Sequence, residues 1–143
     1  MAVVKPTYEL GGQCRSYEVS APVAGGQVVM ADGTPNSGKV IPSTLTSLKV
    51  LGVAQDDADL LSNISATDAT AKSNFTTVWD NVEIPVTYSF TAAWRDPLKA
   101  AANGQVALWV SGTDLSGSII GHCAEKGGVT SGNVGLAKIR VVA

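Results

Sequence analysis

The stretch Gly33-Thr34-Pro35-Asn36-Ser37-Gly38-Lys39-Val40 has, as far as Lys39, the spacing of a phosphate-binding loop, and it follows the apolar run Val28 to Ala31. Such a loop cradles phosphate with backbone N–H groups and the N-terminus of the helix that follows, and it needs a Ser or Thr hydroxyl for magnesium directly after the lysine. Val40 stands in that place, Pro35 removes one donor, and Pro42 disfavours helical geometry at Ile41. The stretch reads as an exposed loop rather than a nucleotide site. His122, the single histidine, falls in an apolar strand pattern, and no G-x-S-x-G elbow accompanies it. It reads as a strand residue that is buried or at an interface.

The remaining polar clusters point the same way. Asp56-Asp57-Ala58-Asp59 gathers carboxylates, but it lacks the glycine and distal glutamate of a calcium loop and reads as a turn or helix start. Cys14 and Cys123 lie far apart with no C-x-x-C spacing, and they read as two small hydrophobes in strands. Asn63-Ile64-Ser65 and Asn74-Phe75-Thr76 fit the glycosylation pattern, which carries no information where no secretion signal is seen. The expectation is a protein that is not an enzyme and has no cofactor and no metal. Trp79, Trp94 and Trp109 occupy three separate segments. Trp109 reads as core packing. Trp79 and Trp94 bracket the Val82 to Phe90 strand beside Asp80 and Arg95, and they are candidate protein-interface residues, tryptophan being enriched at hot spots.

The elements that would position these residues are mainly β. The chain has 143 residues, 45% of them hydrophobic and only 15% charged, with 15 glycines and a net charge of −2. That excludes intrinsic disorder and suits one domain with a neutral, hydrogen-bonding exterior. Nucleic-acid binding is not expected, because it needs a basic face to displace counterions. No membrane partner is expected either, since the apolar runs are strand-sized and far below the roughly 20 residues of a spanning helix. The beginning of the chain shows no secretory pattern, so synthesis in a cytosol is expected. Period-two patterns predict strands at Gln13 to Ser20, Gln27 to Ala31, Val50 to Ala54, Val82 to Phe90, Gln105 to Val110, Ser118 to Ala124 and Leu136 to Val142. Pro85 lies on the polar phase of the fourth and suggests an edge strand. The segment Asp96 to Gly104 predicts a short helix, with Asp96 as cap, Pro97 at the first position and Asn103-Gly104 as a left-handed stop. Asp57 to Asn63 and Ser65 to Ala71 are weaker helix candidates, and Asp32 to Ser47 reads as an exposed excursion.

An internal repeat organises these elements, at about 24–56 and 102–125. Ala24-Gly25-Gly26-Gln27-Val28-Val29 matches Ala102-Asn103-Gly104-Gln105-Val106-Ala107, and Val50-Leu51-Gly52-Val53-Ala54-Gln55-Asp56 matches Ile119-Ile120-Gly121-His122-Cys123-Ala124-Glu125. Glycine at the same phase suggests a bulge or a close backbone crossing. The reading is an all-β domain at 13–143, a compact barrel or sandwich of two similar β units with one or two short helices, preceded by an arm at 1–12. In that arm Val3, Val4, Lys5, Pro6 and Tyr8 are candidates to dock on a neighbouring chain by strand addition.

The order of these elements carries a resemblance. Ala2-Val3-Val4-Lys5-Pro6, Gly26-Gln27-Val28-Val29, Val50-Leu51-Gly52-Val53-Ala54 with its acidic tail, Gly104-Gln105-Val106-Ala107, Ile119-Ile120-Gly121 with Cys123, and Gly135-Leu136-Ala137-Lys138-Ile139-Arg140-Val141 resemble the tailed-bacteriophage head decoration, or capsid cement, proteins. The excursions Asp32 to Ser47 and Asp56 to Trp79 are longer than that pattern requires. The resemblance implies a β-barrel or β-tulip domain on the outer surface of a phage capsid, with the major capsid protein as partner, a homotrimer, and no catalytic residues. It makes the arm the candidate capsid contact. A carbohydrate- or host-surface-binding module using Trp79 and Trp94 is the alternative. An enzyme dependent on Lys39 and His122, and a tail-tube or connector protein, stand behind it.

Overall fold

The computed structural model describes residues 8–64 and 73–141, with side chains described from Gly12 onward. In chain order the elements are β1 (Tyr8–Glu18), β2 (Val28–Ala31), β3 (Val40–Pro42), β4 (Val50–Ala54), the one-turn helix α1 (Leu61–Ile64), β5 (Phe75–Thr87), β6 (Pro97–Ala100), β7 (Val106–Leu108), β8 (Gly121–Cys123) and β9 (Val134–Ile139). They form one curled sheet in the order β3-β2-β4-β5-β9-β8-β6-β7, with β1 added against β5. All named strand pairs are antiparallel. The expected all-β class is what the chain adopts, as a curled half-barrel.

The sheet is a duplication. Unit 1 is β1 to β4 with the first half of β5, and unit 2 is the second half of β5 with β6 to β9. Glu18↔Phe75, Ser16↔Thr77 and Cys14↔Trp79 in unit 1 answer to Thr87↔Val134, Pro85↔Leu136 and Glu83↔Lys138 in unit 2. Likewise Val53↔Trp79 answers to His122↔Lys138, Val29↔Gly52 to Leu98↔Gly121, and Ala31↔Val40 to Ala100↔Val106. Even the isolated bridges repeat: Val19↔Val40 and Val23↔Ala58 against Tyr88↔Val106 and Ala92↔Val129. The central β5 closes one unit and opens the next.

The Gly52/Gly121 match of the sequence is thus real, and its cause is contact. A Cβ on Gly52 would collide with the Trp79 carbonyl, and one on Gly121 with the Lys138 carbonyl, at equivalent points of the two units. The G-Q-V match is out of register. Gly26-Gln27-Val28-Val29 superposes on Arg95-Asp96-Pro97-Leu98, whereas Gln105-Val106 lies at the start of β7, opposite β6. The Asp96 to Gly104 helix is likewise overturned. Leu98 and Ala100 are fully buried while Pro97 and Lys99 alternate with them, which is the period of a strand. Asn103 and Gly104 do take left-handed φ, at 58° and 70°, but they turn β6 into β7.

Other departures have similar causes. The Asp32 to Ser47 excursion contains β3, whose Val40 is fully buried, and it buries Ser43 and Ser47 as well. Strand β5 begins at Phe75, not Val82, and ends before Phe90. It is central rather than an edge. Pro85 is tolerated because β1 pairs no further along β5 than Glu83, leaving Pro85 with β9 alone. The opposite Leu136 points its N–H at Glu125 and its carbonyl toward Ala124, so the nitrogen of Pro85 faces away from β9. Pairing of β1 begins at Tyr8, inside the stretch expected as an arm. The Ser65 to Ala71 candidate lies outside the described residues.

Two clusters fill the fold. The smaller one belongs to unit 1 and contains Val19, Val23, Val29, Val40, Ala54, Ala58 and Val78. Its counterparts in unit 2 (Tyr88, Ala92, Leu98, Val106, Cys123, Val129 and Ala137) lie in the larger cluster, which also absorbs Val28, Val50, Val53 and Val82. Tyr88 buries its ring where unit 1 has Val19, and its hydroxyl donates to the Leu136 carbonyl at 2.7 Å. Burial pushes that phenol far above its ordinary pKa. Among the described residues no buried side-chain polar atom lacks a hydrogen-bond partner.

Candidate functional site

A groove of about 830 Å3 opens on the outer face of unit 2. Its floor comes from β8, β9 and the segment leading into β8, and includes Ile119, Gly121 and His122. The alternation that buries Gly121 and Cys123 turns His122 outward, and the pairing sets His122 beside Lys138 and Lys138 beside Glu83. His122 is therefore exposed, on a charged sheet face rather than in an apolar setting.

One rim is the turn that leads into β6. Ala93 donates its N–H to the Asp96 carboxylate at 2.8 Å, and Arg95 donates its N–H to the Cys123 carbonyl at 2.9 Å. In unit 1 the same turn is held by Ala24 N–H on the Gln27 side-chain carbonyl and by Gly26 N–H on the Ala54 carbonyl. Gly26 has φ 91° there and Arg95 has φ 70°. A side chain in this left-handed region costs roughly 1–2 kcal/mol. The Arg95 guanidinium lies 5.7 Å from the ring centre of Trp94, whose indole is 52% exposed. The other cations are Lys126, Lys138 and Arg140, with Glu83 as the facing carboxylate. Among the described residues the ion pairs are Lys39–Glu18 and Lys99–Asp114, and none of them involves a groove cation.

Trp79 and Trp94 are not brought together. Trp79 is half-buried on β5, packs against the larger cluster, and donates its indole N–H to Gln55 at 2.7 Å. Trp94 alone lines the groove. Trp109 lies just past β7, half-buried, with its N–H on the Leu115 carbonyl. Tyr8 pairs through its backbone with Glu83, while Val3, Val4, Lys5 and Pro6 lie outside the described residues. Lys39 belongs to the β2–β3 turn and pairs with Glu18 at 3.3 Å. The Ser37 hydroxyl, and after it the Thr34 N–H, hold the Asp32 carboxyl below its usual range in that turn. Asp56 accepts from Thr76 and Thr77, and Asp59 accepts from Leu60 and Asn63, so these carboxylates organise local structure. Cys14 is exposed, Cys123 is buried, and both are free thiols. Among the described residues no cluster of metal-ligating side chains occurs.

Reading single residues missed the groove because its cations are scattered over 45 positions of sequence, from Arg95 to Arg140. The available signal was the unit-to-unit comparison, in which Val53 becomes His122 and Trp79 becomes Lys138.

No family model matches the chain, and no curated protein matches it. Among solved structures it is similar to the N base of head fiber gp8.5 in bacteriophage phi29. The TM-score is 0.62 at 14% identity, over 90% of this chain and 93% of that one. At that identity the likeness shows a shared fold extending over nearly the whole of both chains.

Proposed function

We propose that this protein is a structural component of a phage virion, a decoration protein that binds the outer surface of the assembled capsid and stabilises contacts between major capsid subunits. The observation that carries this reading is the near-complete fold likeness to the base of a phage head fiber. Composition supports it. A surface with few charges, and with Leu45, Leu48 and Leu115 more than half exposed, suits burial against protein. A protein that binds the closed shell and not free subunits stabilises the shell by mass action, and many copies add avidity. The first residues, Val3, Val4, Lys5, Pro6 and Tyr8, are the proposed capsid contact, and the protein acts as a homotrimer.

The test is co-sedimentation with capsids that lack the protein. Saturable occupancy, with a higher temperature of capsid disruption, is expected. Absence of binding overturns the reading, and full occupancy by a chain lacking residues 1–7 overturns the role of the arm. Trp94, half-exposed beside Arg95, favours a second reading as a carbohydrate-binding module. Glycan-array binding lost in Trp94→Ala would support it, and Trp79, packed against the core, would not contribute.

A further inference from the structure

We propose that the unit 2 groove is the seat for unit 1 of a second copy of this chain, docked head to tail with its β2–β3 turn over the start of β6. The inference deepens the self-association in the reading above and rests on it only in requiring more than one copy. The two-unit build of the sheet points to it. Inside one chain the outer face of unit 1 (Val28, Val50, Val53 and Trp79) is covered, and those side chains join the core of unit 2. The same register positions in unit 2 are Pro97, Ile119, His122 and Lys138, and the last three line the open groove.

The cover has a counterpart too. Over the start of β2 sits the Asn103-Gly104 turn of unit 2. A Cβ on Gly104 would lie 2.5 Å from that of Gln27, and the Gln27 amide donates to the Asn103 carbonyl at 3.1 Å. In unit 1 the matching turn is Ser37-Gly38. Gly38 keeps the left-handed φ, 68° against 70° at Gly104, yet among the described residues nothing lies within 4 Å of its Cβ position. Each chain thus has one turn seated on one strand start, a second turn whose glycine meets no described residue, and a second strand start, Asp96-Pro97, that stays partly exposed. Two unlike surfaces of this kind meet only head to tail, which is a heterologous contact.

Charge favours the same pairing. Residues 8–80 hold eight carboxylates and four cations, whereas residues 81–143 hold four carboxylates and five cations. Four of those five cations surround the groove. An acidic unit of one copy facing the basic groove of another gains in both steering and specificity. Arg95 adds an independent sign. Unit 2 keeps a strained arginine at the rim where unit 1 has Gly26, and such strain persists where the side chain is used.

Sedimentation velocity of the full-length protein without capsids tests this, together with carbodiimide cross-linking of mixed isotopically light and heavy chains. Wild type should run as a multiple of 14.6 kDa. The Lys138→Glu, Arg140→Glu double variant should lose about tenfold or more in association constant, while Lys138→Arg, Arg140→Lys retains it. Unchanged near-ultraviolet circular dichroism would show that the reversed variant is folded. Cross-links should join Lys126 or Lys138 of one isotope to Asp32 or Glu18 of the other. A wild-type monomer at every concentration, association indifferent to charge reversal, or cross-links from groove to groove would each overturn the proposal. Capsid binding by a monomer removes this inference and the homotrimer but leaves the capsid reading, whereas stable oligomers that ignore capsids remove the capsid reading alone.

Discussion

Units 1 and 2 share a backbone register strand for strand and differ in what their outer faces meet. What is alike in kind between them is what the backbone dictates. Gly52 and Gly121 sit under a carbonyl of the next strand, and a side chain of Gln27 or Asp96 caps the same turn. What differs is what the surroundings dictate: Val53 and Trp79 where the face is covered, His122 and Lys138 where it is open. A duplicated sheet can therefore hold one architecture while its two faces acquire opposite solvation.

The shared glycines carry the largest expected effect. Gly52→Ala and Gly121→Ala should each cost roughly 3–5 kcal/mol in denaturant unfolding, because the added methyl meets a main-chain oxygen that cannot step aside. Gly52 adds a φ of 151° to the clash. A cost below about 1 kcal/mol in only one unit would show that the crossing is tight in the other alone. Next comes an exchange of unlike residues. Val53→His places an imidazole on the covered face, where it has no room and no partner, for a loss of roughly 2–4 kcal/mol. The reverse, His122→Val, changes an exposed position and should stay within about 0.5 kcal/mol in the dissociated chain. Equal costs would mean that the two faces are solvated alike.

The same contrast explains what was legible in the sequence. Strand Val50–Ala54 was readable with its bounds, since a covered strand is continuously apolar and its glycine repeats at Gly121. The two-unit organisation was legible from that match. Strand β6 was not, because Asp-Pro-Leu-Lys-Ala-Ala-Ala satisfies every local rule for a helix, and only burial of Leu98 and Ala100 against β7 and β8 decides otherwise. Strand β3 was hidden among Gly, Pro and Ser that serve its turns. The groove was invisible because its cations converge only once β6, β8 and β9 are paired. Trp79 and Trp94 are alike by residue type, and packing alone separates the half-buried one from the exposed one.

A smaller effect isolates the rim turn. Arg95→Gly gives unit 2 the residue that unit 1 has at Gly26. Relief of left-handed strain is worth roughly 1–2 kcal/mol, and the extra freedom of glycine in the unfolded chain offsets roughly half of it. The variant should unfold at slightly higher denaturant concentration than wild type and associate more weakly with its own kind. Lower stability would show that the guanidinium over Trp94 contributes more to the fold than the turn costs.

The gentlest test concerns how each unit holds an aspartate. In unit 1 the Asp32 carboxylate is held mainly by the Ser37 hydroxyl, at 2.6 Å. In unit 2 the Asp114 carboxylate is held first by the Lys99 ammonium at 2.9 Å and then by the Val110 N–H, with only 6% of its side chain exposed. Both carboxyls titrate below their usual value of 3.8. A carboxyl whose folded pKa is depressed contributes stability that is present above the unfolded pKa and is lost as pH falls through the folded one. Asp114→Asn should therefore be less stable than wild type at neutral pH, and the gap should close on acidification. Asp32→Asn should follow the same direction with a smaller response to salt, since a hydroxyl is its chief partner and the Lys39 charge is the least of the contributions. Urea unfolding at a series of pH values and salt concentrations reads both. A gap between Asp114→Asn and wild type that is constant with pH would mean that the lysine contact is not what holds that turn, and the contrast between a charge-held and a hydroxyl-held aspartate would fall with it.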